Sequence, residues 1–333
     1  MAPLAGFFTS GSTEKTSESK RTCPIQVLKP EQSDSGVLLS RKIVNHLDRS
    51  NLQLRLYQYE TCPFCCKVRA FLDYYGFSYD VVEVNPVTRT QIKFSKDYKK
   101  VPILTCKDRV ISESSLIVSQ LATYLHRPDR SLEEILEMYP TVESTDEKGK
   151  KITTHPNKYF VMLEKGRDQQ RNGLDEGRKR MEGMGGFLVH PSDFPQRLPY
   201  VGRVFGDFPL VAEWDRNFPA WERILAVYVG ALAMFGLSKR LKKRHGIEDE
   251  RKALEEACEK WMQAIGPSRR FMGGAKPNLA DLALFGAMNS FYGCRAFKEV
   301  ILKGKIAVWW SDMKSAVENH EGRTILEARS KGK

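Results

Sequence analysis

The chain has 333 residues, enough for two domains with tails, and carries a formal net charge of +12. Its ordinary apolar content permits a packed core. Its basic surface favours anionic partners, yet no basic run is interleaved with aromatics as in a nucleic-acid binder, so no nucleic acid is expected. Seven cysteines, of which only Cys62, Cys65 and Cys66 cluster, exclude a secreted disulfide framework and suit a reducing, cytoplasmic setting.

Residues 1–51 read as a flexible leader, polar and broken by Lys29-Pro30 and Asp34-Ser35-Gly36, with one short helix over Leu38–Leu47. Met1 to Lys20 has no apolar stretch of signal-peptide length. From Leu52 the texture changes: Leu52, Leu54 and Leu56 alternate with polar residues and predict a strand. Pro63 opens a helix whose Val68, Phe71, Leu72 and Tyr75 fall at helical spacing, and Gly76 closes it as a C-cap. Tyr79–Val84 is a second strand and Thr88–Phe94 a short helix. Val101–Cys106 and Arg109–Ile111 make a hairpin around Lys107-Asp108, and Ser114–Leu125 is helical again. This alternation followed by a hairpin predicts an α/β domain over 52–126, a mixed sheet with helices on both faces. A connector over 127–157 holds a helix at Ser131–Met138 and a loop at Gly149–Pro156. An all-α domain follows over 158–325, with helices at Lys158–Arg180, Trp214–His245, Asp249–Ile265, Leu279–Tyr292 and Ile306–His320, and a tail at 326–333. Glycines and prolines interrupt 181–213. The longest apolar run, Ile224 to Leu237, is shorter than a membrane span and reads as a buried helix.

The chemistry concentrates in Cys62-Pro63-Phe64-Cys65. Cys62 sits where a strand meets a helix, with Pro63 in the first turn, where a missing N–H costs nothing. Unpaired N–H groups and the helix dipole stabilise a thiolate there, so the Cys62 thiol falls below its usual value of about 8.5 and becomes a nucleophile near neutral pH. Cys65, one turn on, can resolve a mixed disulfide. Cys66 reads as a small apolar residue on the helix. Half a zinc site is the competing reading of a Cys-x-x-Cys pair; with no second pair at ligand spacing, no metal is expected. Val101-Pro102 opens a strand, and Glu113-Ser114 precedes a helix that Ser114 can cap, leaving the Glu113 carboxylate to take an ammonium group. Asn278 caps another helix, with Asp281 as its capping-box partner.

These residues carry a resemblance. Tyr57 to Cys65, Lys67 to Leu72, Val82 to Pro86, Lys99 to Leu104, Phe271 to Gly274, Lys276 to Leu282 and Ser238 to His245 together resemble the membrane-associated prostaglandin E synthase type 2 family, over about residues 52–325. The resemblance implies a thioredoxin-like (glutaredoxin-type) domain followed by a helical glutathione-transferase-like C-terminal domain. It implies an enzyme that isomerises prostaglandin H2 to prostaglandin E2, with Cys62 as the attacking thiolate, Tyr59 donating to the thiolate or a substrate oxygen, and Cys65 beside them. Pro102 matches the cis-proline that faces the cysteine in such folds. Glutathione would be held by Val101, Pro102, Glu113 and Ser114, where Glu113 replaces the family's Asp and keeps its charge. Haem is implied as a further ligand, with Arg240, Arg244 and His190 as its contacts or those of a substrate carboxylate. Glutathione-transferase-like proteins are often dimers, so a homodimer is the default, and the family name leaves room for peripheral membrane association. No N-terminal hydrophobic anchor is visible; a Golgi or mitochondrial membrane is the alternative location if the N-terminus is incomplete. Two other functions use the same residues: a glutathione-dependent disulfide oxidoreductase, and a glutathione–haem binding protein with incidental isomerase activity.

Overall fold

The computed structural model describes residues 25–28, 37–145, 151–163, 218–225, 228–229, 249–292 and 294–331. Six strands form one sheet: β1 (Ile25–Leu28), β2 (Arg41–Asn45), β3 (Leu54–Gln58), β4 (Tyr79–Glu83), β5 (Ile103–Cys106) and β6 (Arg109–Ser112), in the order β1-β2-β4-β3-β5-β6. β3 and β4 are parallel, joined through helix α1 (Pro63–Tyr75); the other pairs are antiparallel. A parallel pair needs such a crossover, and the β5–β6 hairpin then leads into α2 (Ser114–His126). This is the thioredoxin-like mixed sheet expected for the N-terminal part of the chain.

The strand alternation sorts the two faces. Leu54 and Leu56, with Tyr79, Val81, Leu104 and Ile111, face the larger core with α1 and α2. Tyr57, Val82 and Ile103 face a smaller cluster that includes Val101 and Cys65. Gly76 ends α1 at φ 70°, its N–H bonded to the carbonyls of Leu72 and Asp73, as the sequence predicts.

Several expectations change. The expected leader contributes two strands, and the helix expected at 38–47 is strand β2. Ile43 is buried there, and the Asn45 side chain donates to the Gly76 carbonyl at 2.7 Å. Pairing with β4 on one side and β1 on the other satisfies backbone groups that local composition left open. Helix α3 (Leu132–Glu137) is capped by Ser131 and Glu134. The loop expected after Gly149 contains β8 (Lys151–Thr154), paired with β7 (Val142–Thr145), whose residues are exposed; the sequence of the pair lacks the apolar alternation that marks a half-buried strand.

Residues 158–163 are not helical; after a turn in which the Lys158 and Phe160 N–H groups bond the His155 and Asn157 carbonyls, they run as an irregular strap over α2. Its Phe160 carbonyl accepts bonds from Ser119 and Tyr139, and the Met162 N–H donates to Thr123 Oγ1 at 3.0 Å. Helices α4 (Glu250–Ile265), α5 (Leu279–Asn289) and α6 (Ala307–Glu318) follow the sequence periodicity. The expected tail is helical instead, in α7 (Arg323–Lys331). Leu326 is fully buried, and the Arg329 guanidinium bonds the carbonyls of Arg127 and Arg130 over the Tyr124 ring. Among the described residues no helix is long and apolar enough to cross a membrane.

Candidate active site

β3 ends at Gln58, and the chain turns back at once: the Cys62 N–H donates to the Tyr59 carbonyl at 3.1 Å. Cys62 is extended (φ −74°, ψ 122°) and is the N-cap of α1, with Pro63 in its first turn. Its carbonyl accepts the Cys66 N–H at 2.8 Å, so the helix begins under the sulfur. Cys62 is half-buried, Cys65 and Cys66 are buried, and all three are free thiols.

The electrostatics separate the pair. A hydrogen bond from the Cys65 thiol, together with the backbone N–H groups of Cys65 and Phe64 and the charge of Arg69, outweighs burial and holds Cys62 below the ordinary thiol range. Burial, and donation to Cys62, push Cys65 well above it. The arrangement biases Cys62 towards the thiolate and keeps Cys65 as its protonated donor, the polarity that nucleophilic sulfur chemistry requires.

The turn before Cys62 is held from behind. Arg69 Nη2 donates to the Glu60 carbonyl at 2.8 Å and contacts Cys66 Sγ at 3.0 Å, while the Cys66 thiol donates to the same carbonyl at 3.2 Å. Cys66 therefore does more than fill space. Burial raises the Tyr59 hydroxyl against the opposing Arg89 charge, and Tyr59 packs on the cluster that includes Cys65.

The Val101-Pro102 bond is cis. The β3–β5 register ends at Tyr57 opposite Ile103, so Val101 lies beyond the ladder, at the end of β3 from which the chain turns to Cys62. Glu113, not Ser114, occupies the N-cap of α2, at φ 74° and without a side-chain cap bond; Ser114 is the first helical residue and is buried. Tyr98 spans the two ends: burial raises its hydroxyl, and the charges of Glu113, Cys65 and Cys62 add to the rise. Around Glu113 stand two lysines that sequence reasoning missed. Lys158 Nζ pairs with Glu113 Oε2 at 3.2 Å, and the buried Lys67 donates to Ser115 Oγ at 3.0 Å. Burial lowers Lys67 to about 8, with Glu113 opposing. A lysine on the otherwise apolar face of α1 was a visible signal for Lys67; nothing local marked Lys158.

The family model for the glutathione S-transferase N-terminal domain matches residues 56–141. Over 278 residues the chain is 43% identical to the Mus musculus protein named prostaglandin E synthase 2, covering 81% of this chain and 71% of that protein. The chain belongs to the prostaglandin E synthase 2 family. The Danio rerio prostaglandin E synthase 2 is 41% identical over 277 residues, which cover 81% of this chain and 72% of that protein. Among solved structures, glutathione transferase F7 from Populus trichocarpa is similar at 16% identity and TM-score 0.43, covering 81% of this chain and 99% of that one.

In this member of the prostaglandin E synthase 2 family, the C-terminal helices seat α1. Gly286 on α5 lets the two helices touch backbone to backbone: a Cβ there would lie 2.5 Å from Lys67 Cα. Asp281 fixes the start of α5. Its carboxylate accepts from the N–H groups of Met272, Gly273 and Asn278 and from Trp309 Nε1, so the expected capping box is also an anchor for the preceding loop and α6. Asn85, just beyond β4, donates to Glu222 at 2.5 Å. The other residues expected at the site, His190, Arg240 and Arg244, lie outside the described residues. Among the described residues no cluster of His, Cys, Asp and Glu is arranged to hold a metal.

Proposed function

We propose that this protein is a glutathione-binding prostaglandin E synthase, isomerising prostaglandin H2 to prostaglandin E2 through Cys62. The observation that carries the reading is the polarised thiol pair at the α1 N-terminus, in a chain 43% identical to a protein named prostaglandin E synthase 2.

The reaction needs no external oxidant. The Cys62 thiolate attacks the peroxide oxygen on the carbon that becomes the ketone; an S–O bond forms, the O–O bond breaks, and the other oxygen leaves as an alkoxide that takes a proton. Loss of the C–H proton from the S–O-bearing carbon to water forms the C=O bond and expels the thiolate; the proton released balances the one the alkoxide takes from water, so the net change is an isomerisation. Donors around Cys62 that stabilise the resting thiolate also make it a good leaving group. Tyr59 supplies a protonated hydroxyl, raised further by burial, for the developing alkoxide. Glutathione lies along the open strand end at Val101 and Pro102, with its γ-glutamyl end at Glu113 and Ser114. The positions that the resemblance assigns to haem are His190, Arg240 and Arg244, and no step here runs through haem.

The test is conversion of prostaglandin H2 by the purified protein with glutathione, against Cys62→Ser. The variant is expected to fall to the rate of free thiol alone, and equal conversion by both proteins refutes the mechanism. A second reading, glutathione-dependent disulfide exchange, is favoured by the Cys65 thiol bonded to Cys62. Reduction of a glutathionylated peptide by the wild type, lost in Cys62→Ser, would support it.

A further inference from the structure

The ion pair between Glu113 and Lys158 belongs to no step derived above. Lys158 comes from the strap over α2, whose path is fixed by bonds to Ser119, Thr123 and Tyr139, and its ammonium also lies 5.2 Å from the centre of the Tyr159 ring. The strap thus holds a cation over the α2 N-terminus, 3.2 Å from the carboxylate at its N-cap.

The local charge does not balance. One carboxylate, Glu113, faces two ammonium groups, Lys158 and the buried Lys67, whose mutual repulsion lowers the Lys67 value further. The N-terminal end of the α2 dipole adds to the positive side. Such a site is short of one anion. A lone ammonium ligand would satisfy Glu113 and worsen the surplus. A ligand group bearing both charges on one carbon satisfies both sides: its ammonium takes Glu113 and its carboxylate takes Lys158, with the α2 N-terminus behind it.

We propose that Lys158 is a specificity-determining residue that reads the α-carboxylate of a zwitterionic amino-acid group, while Glu113 reads its ammonium. The resting Glu113–Lys158 pair opens on binding and each partner exchanges the other for the ligand's opposite charge. The proposal rests on the glutathione reading above, and glutathione presents such a group at its γ-glutamyl end.

The experiment measures binding of three thiols by calorimetry: glutathione; 4-aminobutyryl-cysteinyl-glycine, which keeps the ammonium and lacks the carboxylate; and glutaryl-cysteinyl-glycine, which keeps a carboxylate and lacks the ammonium. The wild type is expected to prefer glutathione over the 4-aminobutyryl analogue by about 5- to 10-fold, the scale of a charged hydrogen bond discounted for partial exposure. Lys158→Met is expected to lose most of this preference, keeping at most about 2-fold from the α2 N-terminus, while still preferring glutathione over the glutaryl analogue. Lys158→Arg, which keeps the charge, is expected to retain the wild-type preference, and the discrimination against the glutaryl analogue that Lys158→Met keeps excludes loss of fold as the cause. A wild type that binds no glutathione overturns the glutathione reading itself. A wild type that binds glutathione without preference for the carboxylate, or a Lys158→Met variant that keeps the preference or binds glutathione more tightly, overturns the assignment to Lys158 alone.

Discussion

Replacing Glu83 with glutamine removes a buried carboxylate and keeps its shape. Gln58 and Glu83 lie opposite each other on the parallel strands β3 and β4, 0% and 3% exposed. Gln58 Nε2 donates to Glu83 Oε1 at 2.6 Å, and the remaining oxygens, Gln58 Oε1 and Glu83 Oε2, are buried without a hydrogen-bond partner. Burial, only partly offset by the Gln58 bond, pushes Glu83 from 4.5 up to about 7. The folded-state value lies above the unfolded one, so folding favours the protonated acid. Ionisation therefore costs almost nothing below the unfolded value, the cost grows between 4.5 and about 7, and it levels off above that. At pH 8 the difference amounts to about 3 kcal/mol, and at pH 5 to under about 1 kcal/mol. Glu83→Gln cannot ionise, and its amide N–H can donate to the orphaned Gln58 oxygen. The variant should be more stable than the wild type by about 3 kcal/mol at pH 8, with most of the gain gone at pH 5. Urea unfolding followed by tryptophan fluorescence at the two pH values checks this. A variant no more stable at pH 8, or one equally stabilised at both, would refute the reasoning.

Cys62 should be alkylated by iodoacetamide at lower pH than an ordinary thiol, because its lowered value keeps the thiolate present as pH falls; Cys65→Ala removes the donor and should move the midpoint of the rate–pH profile upward, whereas an unmoved midpoint denies the donor its role. Gly286→Ala forces a methyl against the Lys67 and Cys66 backbone of α1 and should cost about 1–3 kcal/mol in urea unfolding. Asp281→Ala removes a buried carboxylate that four donors share, of which Trp309 Nε1 is buried and the three backbone N–H groups partly so, and should cost about 2–4 kcal/mol by the same measurement; a loss below about 1 kcal/mol would mean that water replaces the carboxylate.

The thiol end of the site was legible in the sequence because its parts are local. Cys62, Pro63 and Cys65 follow one strand and open one helix, and Gly76 closes it, so spacing alone sets the geometry of the sulfur and its dipole. The same holds for Asn278 and Asp281, three residues apart. Where long-range pairing decides, sequence fell short. Residues 41–45 have too weak a pattern to declare a strand, and became one because β1 and β4 offered them ladders. The strap at 158–163 reads as the start of a helix, but buried hydroxyls from α2 and Tyr139 take the Phe160 carbonyl and the Met162 N–H, which a helix would have used internally. Glu113 was visible as a charge before a helix. Its partner Lys158, 45 residues later, was not, because an ion pair between distant residues leaves no local spacing to read. The sequence by itself determined the placement of Cys62 at the head of its helix, and the caps, all set by contacts within a few residues. Only the tertiary structure decided what charge surrounds Glu113, because that depends on which segments the folded chain lays across the α2 N-terminus.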